Sequence, residues 1–281
     1  MAYNDWNKAY SSQSYWLPNN AEGQILDYTG STGIPAPTSS VGTQGRTFRA
    51  RRASNSGGFN TIEYIYHQVS SSVSSSMFDP IVSSSAYSVS TWVRFDRLGG
   101  ASLTQTNQFF GCGITIKSKD ADNSYDSRWS LDNSDTTFHE VGYRLLLTND
   151  GLGDTPRTDG NLNLKLCGRR WNANTVLCSG SYAPGNWYRI KLELFEKQNV
   201  PSIKSDELYA YLYNTGSQTW EQVGYLSIPS TGTDYLPWGN TYKRVGIAHG
   251  VQSSNTSGFN VLFSYDGFEI SQVPWDKDNP T

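Results

Sequence analysis

Apolar and polar residues alternate with a period of two along much of this chain, most plainly between residues 180 and 271. In GNWYRIKLELFE, Tyr188, Ile190, Leu192 and Leu194 fall on one side, and Trp187, Arg189, Lys191, Glu193 and Phe195 on the other. That is the pattern of a strand with one buried and one mostly polar face. AYSVSTWVRFDRL sets Tyr87, Val89, Thr91, Val93 and Phe95 against Ser88, Ser90, Trp92, Arg94 and Asp96. RTFRARRA sets Phe48 and Ala50 against Arg49 and Arg51, and TIEYIYHQV has the β-branched and aromatic content that suits a half-buried pleat. NQFFGCGITIKS reads as another strand, with Gly111 and Gly113 allowing a bulge or a close approach. VGYRLLLTNDG and NLNLKLCGRRW read as a hairpin, with NTVLCSGSY continuing the series. ELYAYLYNTGSQTWEQVGYLSI reads as two strands about a turn in which Asn214 and Gly216 supply positive φ, and KRVGIAHG and FNVLFSYDGFEIS close the run. Helical periodicity is almost absent, so the class is all-β and the arrangement a β-sandwich.

This pattern divides the chain into an N-terminal arm and connector at 1–44, a sandwich domain at 45–273 and a C-terminal tail at 274–281. The arm is irregular, rich in Asn, Gly, Pro and Ser, yet it carries Tyr3, Trp6, Tyr10, Tyr15 and Trp16. Disordered tails are poor in aromatics, so the arm is expected to pack on its own domain or on a partner. Pro35-Ala36-Pro37 is extended by φ restriction and suits a connector. SSSVSSSMFDPIVSSSA reads as a loop around one short strand, and KDADNSYDSRWSLDNSDT as a long polar loop.

Composition narrows the partners. Only 17% of the 281 residues are charged, 14% are aromatic and the net charge is −3, which gives no general attraction to nucleic acid or anionic membrane. No apolar run reaches the length of a membrane helix. The opening MAYNDWNKAYSSQSYW lacks the basic, apolar and small-residue regions of a signal peptide, so the expected product is made in a cytoplasm without secretion. Cys112, Cys167 and Cys178 are odd in number and show no CxxC spacing. A Cys167–Cys178 bridge between flanking strands is one reading, and free buried thiols are the favoured one.

AYSVSTWVRF, GYRLLLTNDG, GNWYRIKLELFE, LYAYLYNTGSQTWEQVGYLSI and RVGIAHG with FNVLFSYDGFEIS resemble the concanavalin A-like lectin/glucanase jelly rolls, in their laminin-G-like branch. The likeness spans residues 87 to 271 and rests on core and turn positions. It implies a two-sheet antiparallel jelly-roll β-sandwich and leaves function to the loops and faces.

Glucanases of that superfamily use paired carboxylates at alternating strand positions, so that both enter one cleft. Glu193 and Glu196 are three apart, as are Asp266 and Glu269, and on regular strands each pair splits between faces. Asp120 and Asp122 have the right spacing but lie in a polar loop. HQV at His67 is not the Gln-x-His strand of lyases with this fold, and His67, His139 and His249 stand apart, with His249 read as an ordinary strand-end residue. The expectation is therefore that the chain is not an enzyme.

In DADNSYD, the oxygens of Asp120, Asp122, Asn123 and Asp126 would suit Ca²⁺, which many laminin-G-like modules bind. Asp126 stands where an EF-hand needs Gly and Leu131 where it needs Glu, so a solvated loop is the plainer reading and no cofactor is expected. Arg46, Arg49, Arg51 and Arg52 form one basic cluster without an aromatic platform, which fits an acidic protein contact better than nucleic acid. Sugar binding calls for an aromatic beside amides or carboxylates. RRWNANT offers Trp171 and Asn172, and DYLPWGN offers Asp234, Tyr235, Trp238 and Asn240. Trp238, between Pro237 and Gly239, is the preferred candidate because a Trp in so short a loop is hard to bury.

Three functional classes follow. The favoured one is a virion structural protein of a tailed phage or similar virus (capsid decoration, fibre or knob). It would dock other virion proteins through Tyr3, Trp6, Tyr10, Tyr15, Trp16, Arg49 and Arg51, with self-association and host surface glycan as further partners. A stand-alone lectin module is the alternative, and a glycan-cleaving enzyme is disfavoured by the split carboxylates.

Overall fold

A computed structural model describes residues 86–99, 102–104, 108–118, 142–151, 156–169, 174–200, 203–236, 244–253 and 259–273, together with the backbone of strands at 16–18, 23–27, 46–54 and 59–67. The strands in chain order are β1 (Trp16–Pro18), β2 (Gly23–Asp27), β3 (Arg46–Ser54), β4 (Phe59–His67), β5 (Ala86–Gly99), β6 (Gln108–Ser118) and β7 (Tyr143–Thr148). They continue as β8 (Asn163–Cys167), β9 (Thr175–Leu177), β10 (Trp187–Val200), β11 (Ile203–Asn214), β12 (Thr219–Pro229), β13 (Arg244–Ser253) and β14 (Phe259–Gln272). No helix occurs among the described residues.

The strands form two sheets of seven, ordered β12-β11-β10-β5-β14-β3-β2 and β1-β4-β13-β6-β7-β8-β9. We call them sheet A and sheet B. Every pairing is antiparallel, as the all-β expectation requires. The inner faces meet in one core. Val89, Val93 and Phe95 of β5, Ile190, Leu192 and Leu194 of β10, and Phe263 and Ile270 of β14 face Ile114, Leu145, Leu147, Leu164, Leu166 and Ile247 of sheet B. These are the apolar registers that the alternation predicts, because a one-residue slip would turn each set outward.

The arm is not separate from the sandwich. β1 pairs with β4 at the edge of sheet B, with Trp16 opposite His67, and β2 pairs with β3 at the edge of sheet A, with Ile25 opposite Phe48. β1 thus stands in sheet B and β2 in sheet A. Tyr3, Trp6, Tyr10 and Tyr15 lie outside the described residues. Arg49 and Arg51 stand in β3, opposite Ser264 and Leu262.

Several local expectations need correction. The β11–β12 turn takes its positive φ at Gln218 (57°) rather than at Asn214 or Gly216; Asn214 Oδ1 instead accepts hydrogen bonds from the Gly216 and Ser217 amides at 2.9 and 3.2 Å. His249 lies in mid-strand, fully buried, its ring stacked 5.4 Å from Phe263. The register break in β6 falls near Lys117, which has φ 52°, whereas Gly113 supplies the close approach, since a Cβ there would collide with the Leu145 carbonyl oxygen. All three cysteines are buried, free thiols, as favoured.

Candidate functional site

The outer face of sheet A reads out as rows across adjacent strands. Trp220, Tyr213, Arg189, Trp92 and Asp266 form one row. Gln222, Tyr211, Lys191, Ser90 and Glu269 form the next, followed by Tyr225, Tyr209, Glu193, Ser88 and Ser271. The alternation of β5, β10 and β11 places them there: Leu208, Ala210 and Leu212 enter the core, so Tyr209, Tyr211 and Tyr213 must face away from it. Ser88, Ser90 and Ser271 are the smallest of these side chains, and we call the strip of this face along β5 and β14, where Ser88, Ser90, Trp92 and Asp266 are buried, the trough.

β14 contributes two carboxylates because its period breaks. Asp266 is opposite Trp92 and Glu269 opposite Ser90, so the two residues between them share a single partner position on β5. This bulge is built on Gly267, whose φ of 55° is the left-handed region that glycine enters without a Cβ penalty. The expected split of Asp266 and Glu269 is therefore corrected: the extra residue returns Glu269 to the same face as Asp266. Glu193 and Glu196 do face opposite ways, as their spacing predicts.

The outer face is densely bonded. Arg189 Nη2 donates to Glu269 Oε2 at 3.0 Å, and its guanidinium lies 5.3 Å from the Tyr213 ring and 5.2 Å from Trp220. Lys191 donates to Glu193 Oε1 at 2.6 Å and lies 4.3 Å from Tyr211 and 4.9 Å from Trp220. Trp220 is thus flanked by two cations on successive outward positions of β10. Burial and the Glu193 carboxylate push the Tyr211 hydroxyl well above its ordinary range, so it stays protonated. Farther along, Tyr225 donates to Glu207, which also accepts from Ser205 at 2.7 Å and Ser227 at 2.8 Å. Tyr225 packs 5.0 Å from Tyr209 and, at 45%, is the exposed large hydrophobic side chain of the described residues. Its hydroxyl is pushed up to about 12 by desolvation and then by the bond to Glu207.

On this same face three buried donors find no acceptor among the described residues: Trp92 Nε1, Arg189 Nε and Ser264 Oγ. Trp92 and Arg189 are cross-strand neighbours, and Ser264 lies opposite Arg94, one row beyond them. An unmade hydrogen bond at a buried donor costs about 1–3 kcal/mol.

The sequence-predicted residues lie elsewhere. Asp234 is buried and accepts a hydrogen bond from Asn174 Nδ2, so its carboxylate is committed inside the protein. Tyr235 is half-buried, donating to Glu196 Oε1 at 3.1 Å beneath the Lys117 ammonium, 5.0 Å from its ring. Trp171, Asn172, Trp238 and Asn240 lie outside the described residues, as do Asp120, Asp122, Asn123 and Asp126. Among the described residues no group of His, Cys, Asp and Glu could hold a metal ion. The outer face of sheet A itself had a signal in the sequence: YAYLY puts tyrosines on the polar side of a strand whose other side is core.

Tyr235 belongs to a second charged cluster, sealed between the sheets. Asp206 Oδ2 of β11 accepts from Lys117 Nζ of β6 at 2.6 Å and from the Tyr143 hydroxyl of β7 at 2.5 Å. The Tyr143 oxygen in turn accepts from the Leu236 amide at 3.0 Å. Burial raises the Asp206 carboxyl above its usual range, against the pull of Lys117 and Tyr143.

No protein-family model matches the chain, and no curated protein sequence matches it. Solved structures similar to it include a PL7 alginate lyase, AlyA1, from Zobellia galactanivorans, at 11% identity and TM-score 0.42, covering 92% of this chain and 96% of that one. They also include a Lotus tetragonolobus seed lectin, at 8% identity and TM-score 0.42, covering 98% and 100%. A PL-14 alginate lyase from Aplysia kurodai is similar at 13% identity and TM-score 0.37, covering 84% and 86%. The two antiparallel sheets packed on one core bear out the expected jelly-roll β-sandwich class. The expectation that the chain is not an enzyme is withdrawn. The carboxylate-splitting argument behind it fails at the β14 bulge, which brings Asp266 and Glu269 to one face.

Proposed function

We propose that the chain binds a carbohydrate polymer along the outer face of sheet A. The observation that supports this best is the coincidence, on one face, of aromatic rows with buried donors that lack an acceptor, Trp92 Nε1 and Arg189 Nε. Sugar rings present flat C–H faces to aromatic side chains and hydroxyl oxygens to donors, so the two features together suit them. Carbohydrate arrays test this reading. Binding should be lost in Tyr213→Ala and Trp220→Ala and retained in Tyr235→Phe, whose hydroxyl bonds within the protein. A blank array would overturn it. Release of reducing ends or of unsaturated sugars from a bound polymer would add cleavage to binding.

The setting we propose is the surface of a virion, as a decoration, fibre or knob protein that presents this face to host glycan. What supports it is the Ser-, Gly- and Asn-rich, weakly charged sequence and the aromatic segment Tyr3 to Tyr15 ahead of β1. Deleting residues 1–15 leaves β1 and β2 in place. It should abolish incorporation into particles without lowering thermal stability; full incorporation would remove the docking role.

A further inference from the structure

We infer that the ligand is an extended glycan lying along β12 and gripped at two aromatic platforms, so that the site reads chain length rather than a terminal sugar. This rests on the carbohydrate reading above. The platforms stand on the accessible border of sheet A, formed by its edge strand β12 and by β11. At one, Trp220 is opposite Tyr213, with 5.2 Å between ring centres. At the other, Tyr225 is opposite Tyr209, at 5.0 Å. Trp220, Tyr213 and Tyr209 are half-buried and Tyr225 is exposed, so each pair reaches solvent. Both are held in place. Arg189 and Lys191 pack against Trp220, and the Tyr225 hydroxyl is tied to Glu207, which Ser205 and Ser227 also bond. Tyr209 meets Phe195 edge-on, at 5.6 Å and 90°. A ring fixed in this way loses little freedom when a sugar stacks on it.

The two platforms share a face because β12 is bulged. Trp220 and Tyr225 are five residues apart, an odd interval that on a regular strand sends them to opposite faces. Gly224 is opposite Ala210 and Gln222 is opposite Tyr211, so Val223 is the extra residue. The segment after β9 clamps this bulge from sheet B. The Ser179 amide donates to the Val223 carbonyl at 3.1 Å, and a Cβ on Gly224 would stand 2.6 Å from Cys178 Sγ. Along β11, Tyr209 and Tyr213 are four residues apart, which sets the platforms about 13 Å from one another at about 3.3 Å per residue. No single sugar ring covers that span. Exposed Gln222 stands between them, an amide that donates and accepts as sugar hydroxyls do. A ligand that touches both platforms makes its second contact intramolecular, which raises affinity by about a hundredfold or more.

The test uses the full chain. Gels containing laminarin, mannan, galactan or alginate identify a polymer that retards it, and calorimetric titration then follows the oligosaccharides of that polymer from the disaccharide upward. Affinity should rise about a hundredfold between disaccharide and hexasaccharide. Tyr225→Ala and Trp220→Ala should each abolish that rise while leaving disaccharide affinity within about twofold, since one platform remains. Tyr225→Phe keeps the ring and should keep the rise. Unchanged unfolding midpoints show that the variants are folded, and the size series on the native chain is decisive without them. Equal affinity for disaccharide and hexasaccharide would overturn the two-platform inference and leave the carbohydrate reading standing. A rise that survives Tyr225→Ala would overturn the second platform. No retardation in any gel would overturn both readings.

Discussion

Two ion-paired clusters of this protein have nearly the same chemistry and opposite surroundings. Lys117, Asp206 and Tyr143 are sealed between the sheets, with side-chain exposures of 2% for Lys117 and 0% for Asp206. Arg189 and Glu269 lie on the outer face of sheet A, at 11% and 31%. Between the sheets, desolvation dominates: the charges hold the two sheets and residue Leu236 in one geometry, and that geometry is all they do. On the outer face, water can compete, so the pair adds little stability. The same contact is thus a structural pin in one place and a partly solvated surface pair in the other.

The comparison breaks most sharply at Asp206. Asp206→Ala leaves Lys117 buried without its carboxylate and should cost about 3–5 kcal/mol in urea unfolding, whereas Asp206→Leu with Lys117→Met should recover most of that. An unaltered midpoint in the single variant would show that the sealed pair does not bear on stability. Gly267→Ala comes next. Its φ of 55° and a new Cβ placed 3.2 Å from the Trp92 ring should cost about 1–3 kcal/mol. By disturbing the bulge it should also weaken glycan binding. Glu269→Ala should change stability by about 0–1 kcal/mol, since its partner remains partly solvated. A larger loss would mean that the outer pair is a pin as well.

The smallest effect is on pH dependence. Because burial raises the Asp206 carboxyl, the folded chain holds that proton more tightly than the unfolded one. Its contribution is complete below the ordinary carboxylate range and shrinks as pH rises through the folded value. Asp206→Asn should flatten that slope. Unfolding midpoints measured from pH 4 upward would read the difference (about pH 4 being the ordinary carboxylate value).

Much of the fold was legible in the sequence, and much of the site was not. β5 and β10 could be read residue by residue, because each has a continuous apolar side whose burial fixes register. β1 escaped notice because WLP is too short to show a period and contains a proline that argues against a strand. Glu269 escaped because alternation was counted through Gly267, and a bulge becomes visible only once the partner strand is known. His249 was misplaced for a related reason. A polar residue in a strand is assigned to water by default, and only the pairing with β6 shows that it lies inside. The glycan candidates were sought in loops, whereas the aromatic rows stand on the strands.

The position of β14 has a consequence for synthesis. It follows the other thirteen strands in chain order, yet it stands at the middle of sheet A between β5 and β3, with Val261 opposite both Arg97 and Arg52. Until residues near 272 emerge, β3 with β2 and β5 with β10 remain two separate ribbons with open edges. Closing sheet A is therefore a long-range event, and the apolar strand surface of both ribbons stays exposed until β14 arrives. The trough takes shape only then, since Asp266 and Glu269 arrive with the strand that joins the halves.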